Sequence, residues 1–395
     1  MPASSRLAPP EIDNISVGYM RLTDAAPLIL AKEAGLFKRY GLDVTLCREV
    51  SWANLRDKLV VGLLDAAQLL APLPMTTALG AGGMRGQLLS GLALGLNGNA
   101  ITLSNRLWHS FSDEGKSRLT PLARAQQLKA LLKETAEPIT LATVHAFSMH
   151  TFLLRLWLQA GGIDIDKDIH LIVLPPEQMC DSLARGVIDG FCVGEPWSTV
   201  AVEQGIGSVV ASGYEIWNNA PEKVLGVTQQ WHDAHPATHL RLRLAIMEAC
   251  QLLQSADQRK AIAMTMSQAE YLNLPSRYIL PSLTGSYRYT KGGDAVSVPD
   301  FHVFWKYQAG FPWRSQAQWI LTQTSKMLGK DICAEQAQSL IQQCWRPDLY
   351  REAARLLDAP CPSRDYKPEN THEHEWLMDN SIELGADKLI QSTEG

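Results

Sequence analysis

A seven-residue pattern occurs twice in this chain, and it constrains the fold more than any other feature. The copies are Leu59-x-x-Gly62-x-x-Asp65 followed by Pro72, and Leu183-x-x-Gly186-x-x-Asp189 followed by Pro196, with the same internal spacings. Each reads as a helix closed by glycine, which takes the left-handed conformation at little cost. A short strand follows, Ala66 to Leu70 in one copy and Gly190 to Val193 in the other, and a proline without an N–H stops it. Two similar α/β lobes are predicted.

The chain opens in the same idiom. Ile15 to Tyr19 alternates like a strand, Ala26 to Tyr40 has helical spacing and ends at Gly41, and Leu42 to Leu46 alternates again. Asn105 to Arg118 reads as polar and irregular, Pro121 to Glu134 as a helix and Ile139 to Val144 as a strand. After Asn218 to Pro221 the chain turns to long helical stretches, at His239 to Ser255, Asp257 to Glu270 and Gln316 to Leu328. The expected organisation is a first lobe begun by residues 12–105, a second lobe over 106–222, a return to the first lobe over 223–345, and a C-terminal wrap or tail over 346–395. From Arg364 onward that tail holds eight acidic and three basic residues, a balance equal to the net charge of -5 of the whole chain. It reads as a solvated wrap or a partner contact.

Several function classes are excluded. A mildly acidic chain, with 36 Lys and Arg against 41 Asp and Glu, has no global field for nucleic acid, so no direct nucleic-acid binding is expected. Gly86 to Asn105 is uncharged but contains four glycines and three asparagines, which rules out a membrane helix. Seven dispersed cysteines without a Cys-x-x-Cys spacing predict reduced thiols rather than disulfides or zinc. Residues 1–14, with Pro9-Pro10, Glu11 and Asp13, lack the pattern of a secretory signal, and a cytoplasmic protein is expected. There is no Gly-x-Ser-x-Gly, Walker loop or Gly-x-Gly-x-x-Gly, so no enzyme and no cofactor is predicted. His372-Glu373-His374-Glu375 lacks the i, i+4 spacing of a helical metal pair, and no metal site is assigned.

In open α/β sheets ligands sit at the carboxyl ends of strands, which selects five loops here. They carry Ser51-Trp52, Leu96 to Asn99, Val144 to His150, Gly194 to Trp197, and Pro221-Glu222-Lys223. His150 opens an apparent helix, where it either donates to an anion or serves structure alone. Trp52 is an indole donor or a packed aromatic, and Lys223 a site cation or a solvated lysine.

Longer motifs now carry a resemblance. Thr23-Asp24-Ala25-Ala26-Pro27-Leu28, Ser51-Trp52-x-x-x-Arg56-Asp57, Trp157-Leu158-x-Ala160-Gly161-Gly162-Ile163-Asp164, Phe191-Cys192-Val193-Gly194-Glu195-Pro196-Trp197 and Gly213-x-Glu215-Ile216-Trp217-x-Asn219-x-Pro221-Glu222-Lys223 resemble the nitrate- and bicarbonate-binding proteins of cyanobacterial ABC transporters. The resemblance implies a two-lobed type II periplasmic-binding-protein fold with a ligand cleft between the lobes, and a nitrate pocket at Trp52, His150, Gly194 and Lys223. Asn99 stands where the family has a glutamine, which keeps the amide but shortens its reach. The segment Thr143 to Met149 departs from the family's glycine-rich form, with His145 and Phe147 in place of smaller residues.

Without an export signal, the chain is similar to the NasS-type nitrate/nitrite sensors. That resemblance implies a partner, a NasT-type RNA-binding antiterminator with an ANTAR domain, held by the free sensor and released by nitrate or nitrite. The other reading is a periplasmic anion-binding component of a transporter. An enzyme reading, through the superfamily's likeness to thiamine-pyrimidine synthases, lacks the cysteine-rich cluster those carry. Nitrate needs several donors and at least one charge to leave water, and Glu195 beside it is expected to turn toward the hinge or pair with a cation.

Overall fold

The computed structural model describes residues 7–111, 120–134 and 138–391. Its first half contains β1 (Asn14–Met20), β2 (Asp43–Glu49), β3 (Ala66–Leu70), β4 (Leu88–Leu89), β5 (Ala93–Asn97), β6 (Asn99–Ser104), β7 (Ile139–Thr143), β8 (Ile169–Val173) and β9 (Gly190–Gly194). There follow β10 (Gly207–Ser212), β11 (Pro221–Thr228), β12 (Ser286–Tyr287), β13 (Val296–Ser297), β14 (His302–Val303), β15 (Trp376–Met378) and β16 (Ile382–Leu384).

Two large sheets result, one per lobe, and β12-β13 and β15-β16 form two-stranded ones. The first runs β14-β5-β11-β3-β1-β2, with β4 also on β11, and the second runs β10-β6-β9-β7-β8. Each has the same inner plan. Parallel strands β2, β1 and β3 meet antiparallel β11 in the first, and parallel β8, β7 and β9 meet antiparallel β6 in the second. The two antiparallel strands are exchanged, since β6 has just left the first lobe and β11 is returning to it.

The repeated sequence pattern has one physical job in both lobes. Gly62 and Gly186 close their helices at φ of 76° and 70°, where only glycine is unstrained. Asp65 then accepts from the Ser16 N–H at 2.8 Å, and Asp189 from the Thr140 N–H at 2.9 Å. Each aspartate thus pins the start of its strand to the neighbouring parallel strand. The prolines do more than stop strands: Pro72 and Pro196 stand just before the helices Leu73–Ala78 and Trp197–Gln204.

Several boundaries differ from those expected. The first crossing between lobes falls at Gly98, not after residue 105, because Asn99–Ser104 pairs with β9 and β10. Pro221 and Glu222 already pair or lie in β11 of the first sheet. The helix expected over Ala26 to Tyr40 breaks at Gly35, at φ 67°, into Ala26–Glu33 and Leu36–Arg39. Part of the segment read as irregular is a helix, Asn105–Ser110, capped by Ser104, while the rest of it, residues 112–118, lies outside the described residues. All seven cysteines are free thiols.

The C-terminal segment is not simply solvated. Helix Pro347–Leu356 buries Leu349, Tyr350, Ala353 and Ala354 in the first lobe, and the wrap begins only after it. Its β15–β16 hairpin buries Met378, Ile382 and Leu384 in the same core. The chain then crosses the second interlobe connection. Asn218 N–H donates to Lys388 O at 3.0 Å, Ile390 N–H to Ile216 O at 2.7 Å, and Asn219 Nδ2 to Ala386 O at 2.8 Å. Residues 392–395 of that tail lie outside the described residues.

An aromatic contact marks the same region. Trp319, on helix Arg314–Leu328, packs on Trp217 with ring centroids 4.5 Å apart and on Phe152 of the second lobe at 6.0 Å. Across the cleft, Arg21 reaches Glu177 at 2.8 Å, and Thr23 N–H donates to Glu195 O at 2.7 Å.

Candidate functional site

The site forms where the exchanged strands begin. Ser51 caps helix Trp52–Val60 by accepting from the Asn54 N–H, which sets Trp52 on the first turn, fully buried. Ser148 caps Met149–Ala160 in the same way and fixes His150 on its first turn, also fully buried. Gly194 ends β9, opposite Asn99 at the start of β6. Lys223 lies in β11, opposite Leu70 on one side and Gly95 on the other, so its cation stands on a sheet rather than a loop.

These residues converge. The Lys223 ammonium lies 5.2 Å from the centre of the Trp52 ring, and His150 Nε2 lies 3.4 Å from Glu222 Oε1, which is itself 2.6 Å from Lys223 Nζ. A side chain at Gly194 would start 3.6 Å from both His150 Nε2 and Asp24 Oδ2, which places the bare glycine backbone against the same point. Trp52 Nε1 and both His150 ring nitrogens are buried with no hydrogen-bond partner. Buried donors normally find partners, so unpaired ones in one cluster leave that cluster open to an acceptor.

Two site residues were not anticipated, and both are acids. Asp24 Oδ2 lies 2.9 Å from Lys223 Nζ, while its other oxygen accepts from Gln68 Nε2 at 2.8 Å. Glu222 is 2% exposed and takes Lys223 on one oxygen and Asn99 Nδ2, at 2.7 Å, on the other. The available signal was positional: Asp24 interrupts an apolar run from Leu22 to Ala31, and Glu222 precedes the buried lysine directly.

Charge and burial act together here. Burial pushes the Glu222 carboxyl up to about 7, against the pull of Lys223. Burial opposes the charge on Lys223, but Asp24 and Glu222 more than offset it and hold the ammonium above its ordinary range. Burial, then Lys223, keeps His150 well below the usual imidazole range, so it is a neutral donor.

Asn99 is at the site, where one N–H of its amide donates to Glu222 Oε2 at 2.7 Å. Of the two arrangements expected for Glu195, pairing with a cation is not seen among the described residues. It is fully buried, accepts from the Tyr287 hydroxyl and from the Thr199 N–H at 3.2 Å, and burial raises its carboxyl to about 7. Those two donors replace the cation. His145 Nδ1 lies 3.1 Å from the Phe147 N–H, beside the site rather than in it. Among the described residues no group of His, Cys, Asp and Glu is arranged to hold a metal, and His372 of the polar tail stacks on Trp376 instead.

The glycine gives a direct test. Gly194→Val would place its side chain against Leu22, Asp24 and His150, at the point the free donors face. The expected outcome is a folded protein that gives no heat with a small oxyanion in titration calorimetry. Undiminished binding would move the site elsewhere.

Comparison with known proteins fits this geometry. A model of the NMT1-like family matches residues 8–267. The chain belongs to that family. Among curated relatives, it is 31% identical to the nitrate/nitrite binding protein NrtA of Synechocystis, over 89% of this chain and 78% of that one. It is 30% identical to the bicarbonate-binding protein CmpA of Synechococcus elongatus, over 89% and 80%. With the nitrate import ATP-binding protein NrtC of Synechocystis identity reaches 39% over 95% of this chain, but only 54% of that protein is covered. The chain thus spans about half the length of the ATP-binding relatives it matches. The crystal structure of the periplasmic NrtA from Synechocystis superposes with a TM-score of 0.84 at 29% identity, covering 96% of this chain and 97% of that one. The fold is therefore that of a periplasmic-binding protein, as expected, and NrtA and CmpA are binding proteins rather than enzymes.

Proposed function

We propose that this chain is a non-catalytic receptor for nitrate or nitrite, bound between the lobes against Trp52, His150, Gly194 and Lys223. One observation carries the reading: Trp52 and His150 bury ring N–H groups without hydrogen-bond partners in the same cluster as one buried ammonium. A planar monoanion with weak acceptor oxygens fits that set, because each donor gains a partner. Binding closes the lobes about Gly98 and Asn219–Ala220.

As a NasS-type sensor, the chain would work in the cytoplasm. Its free form would hold an ANTAR-domain antiterminator of the NasT type and its bound form would release it, through differential affinity alone. A coupling of about 1 to 3 kcal/mol changes partner affinity roughly 5- to 150-fold. The support for this finer reading is the sequence resemblance. A transport role is favoured by a specific observation, that NrtC is named for nitrate import and NrtA for nitrate and nitrite binding.

Calorimetry with nitrate, nitrite and bicarbonate separates the ligands; heat from bicarbonate alone would discard the nitrate reading. Co-elution with the antiterminator that persists at saturating anion would discard the switch. Fractionation of native cells separates sensor from transporter, since only the sensor must be cytoplasmic.

A further inference from the structure

The site described above holds more negative charge than an anion receptor needs. Two buried carboxylates, Asp24 and Glu222, share one ammonium, Lys223, and His150 adds a neutral ring. With both acids ionised the cluster carries one net negative charge before any ligand arrives. Among the described residues no other Lys or Arg is within ion-pair distance of either carboxylate. A nitrate brought into that cluster would raise the uncompensated charge to two, in a place that excludes water.

We propose that the anion binds together with one proton from solvent, held on the Glu222 carboxyl. The inference rests on the anion-binding reading above and concerns the same site. In the balanced step, the Glu222 carboxylate, a proton and the anion become the Glu222 carboxylic acid beside the bound anion. No covalent bond to the ligand forms.

Geometry selects Glu222 over Asp24. Acceptor contacts do not separate the two acids, since Asp24 accepts from Gln68 Nε2 on one oxygen and has Lys223 Nζ 2.9 Å from the other, while Glu222 accepts from Lys223 Nζ and from Asn99 Nδ2. What separates them is that Glu222 Oε1, 2.6 Å from Lys223 Nζ, also lies 3.4 Å from the unpartnered His150 Nε2, so a hydrogen placed there faces a neutral ring nitrogen able to accept it. The groups facing Glu222 are Lys223 on its own strand, Asp24 after β1, Asn99 on β6, Cys192 on β9 and His150 on the helix Met149–Ala160. Of these, Lys223 alone opposes protonation by its charge, while Asp24 favours it. The carboxyl already rests near 7 without an anion, and a second negative charge beside it raises it further.

The test uses the full chain and needs no variant at first. Nitrate titrations at pH 8 in phosphate and in Tris differ in observed heat by the protons taken up times the difference in buffer ionisation heat. The expected uptake is about one proton per nitrate at pH 8, falling toward zero near pH 5.5, with affinity weakening by about tenfold per pH unit above 7. Nitrate heat that is independent of buffer at pH 8 overturns the proposal. No heat at any pH overturns the anion-binding reading instead, so the two failures are distinct. Glu222→Gln should remove the pH slope and the proton uptake together. A Glu222→Gln protein that binds nitrate and still takes up a proton places it elsewhere and overturns the assignment.

Discussion

Lys223→Met is expected to abolish nitrate binding and to destabilise the protein at the same time. The methionine keeps the apolar stem that packs under Trp52 but leaves Asp24 and Glu222 buried without their cation. Breaking a buried ion pair by removing one partner costs about 3 to 5 kcal/mol, because the remaining charge is uncompensated. Affinity should fall at least about 100-fold, which is about 2.7 kcal/mol. Calorimetry and urea denaturation read the two losses separately. The stability deficit has a pH signature. Burial raises Glu222 to about 7 in the folded protein from an ordinary 4.5. Such a group gives its full contribution below about 4.5 and loses it as pH rises through about 7. In Lys223→Met the carboxyl rises further, so the deficit should be largest at pH 8 and shrink toward pH 5. A deficit that is flat across that range would mean that lost packing, not charge, dominates.

Removal of the chain from residue 359 onward is expected to have the second large effect. The wrap buries Met378, Ile382 and Leu384 in the first-lobe core. At about 1.5 to 3 kcal/mol for each buried aliphatic side chain, their loss amounts to about 5 kcal/mol or more, before the stripped core rearranges. The unfolding midpoint should drop by an order of 10 °C. Residues 386–390 also tie the 216–219 connection through Asn219 Nδ2, the Asn218 N–H and the Ile390 N–H. Those bonds hold one of the two crossings between lobes. Truncation should therefore weaken anion affinity, although no removed residue touches the site. Thermal melts and nitrate calorimetry on the truncated chain check both. Unchanged affinity beside a lowered midpoint would show that the wrap stabilises one lobe and does not steer closure.

Much of this was legible from residues alone, and the exceptions have causes. The lobes were visible because helix and strand periods alternate and the Leu-x-x-Gly-x-x-Asp pattern recurs with its proline. The structural role of Asp65 and Asp189 was not, since a strand-pinning acceptor leaves no trace in local periodicity. The first crossing was misplaced because Ala93–Asn97 and Asn99–Ser104 form one apolar stretch with a single glycine between. A chain can change sheets there without changing composition. Trp52, His150, Gly194 and Lys223 meet at one point, yet Asp24 and Glu222 were overlooked because acids beside an anion run against charge logic. Their presence makes sense only once the lysine is known to be 1% exposed, since a buried ammonium needs counter-charges even when no ligand is bound. A C-terminal wrap or tail was expected, but its burial in the first-lobe core was not legible, because its three buried anchors are scattered through a strongly acidic segment.

The packing of Trp217 against Trp319 has a practical side. One indole precedes the second crossing, and the other sits on a helix that also touches Phe152 of the opposite lobe. At 4.5 Å between centroids and 50° between planes, two indoles couple their electronic transitions, and the sign and size of the resulting circular dichroism depend on that angle. A change in near-ultraviolet circular dichroism on anion addition is therefore the expected mark of movement at that crossing, and its loss in Trp319→Phe would assign the signal to this pair.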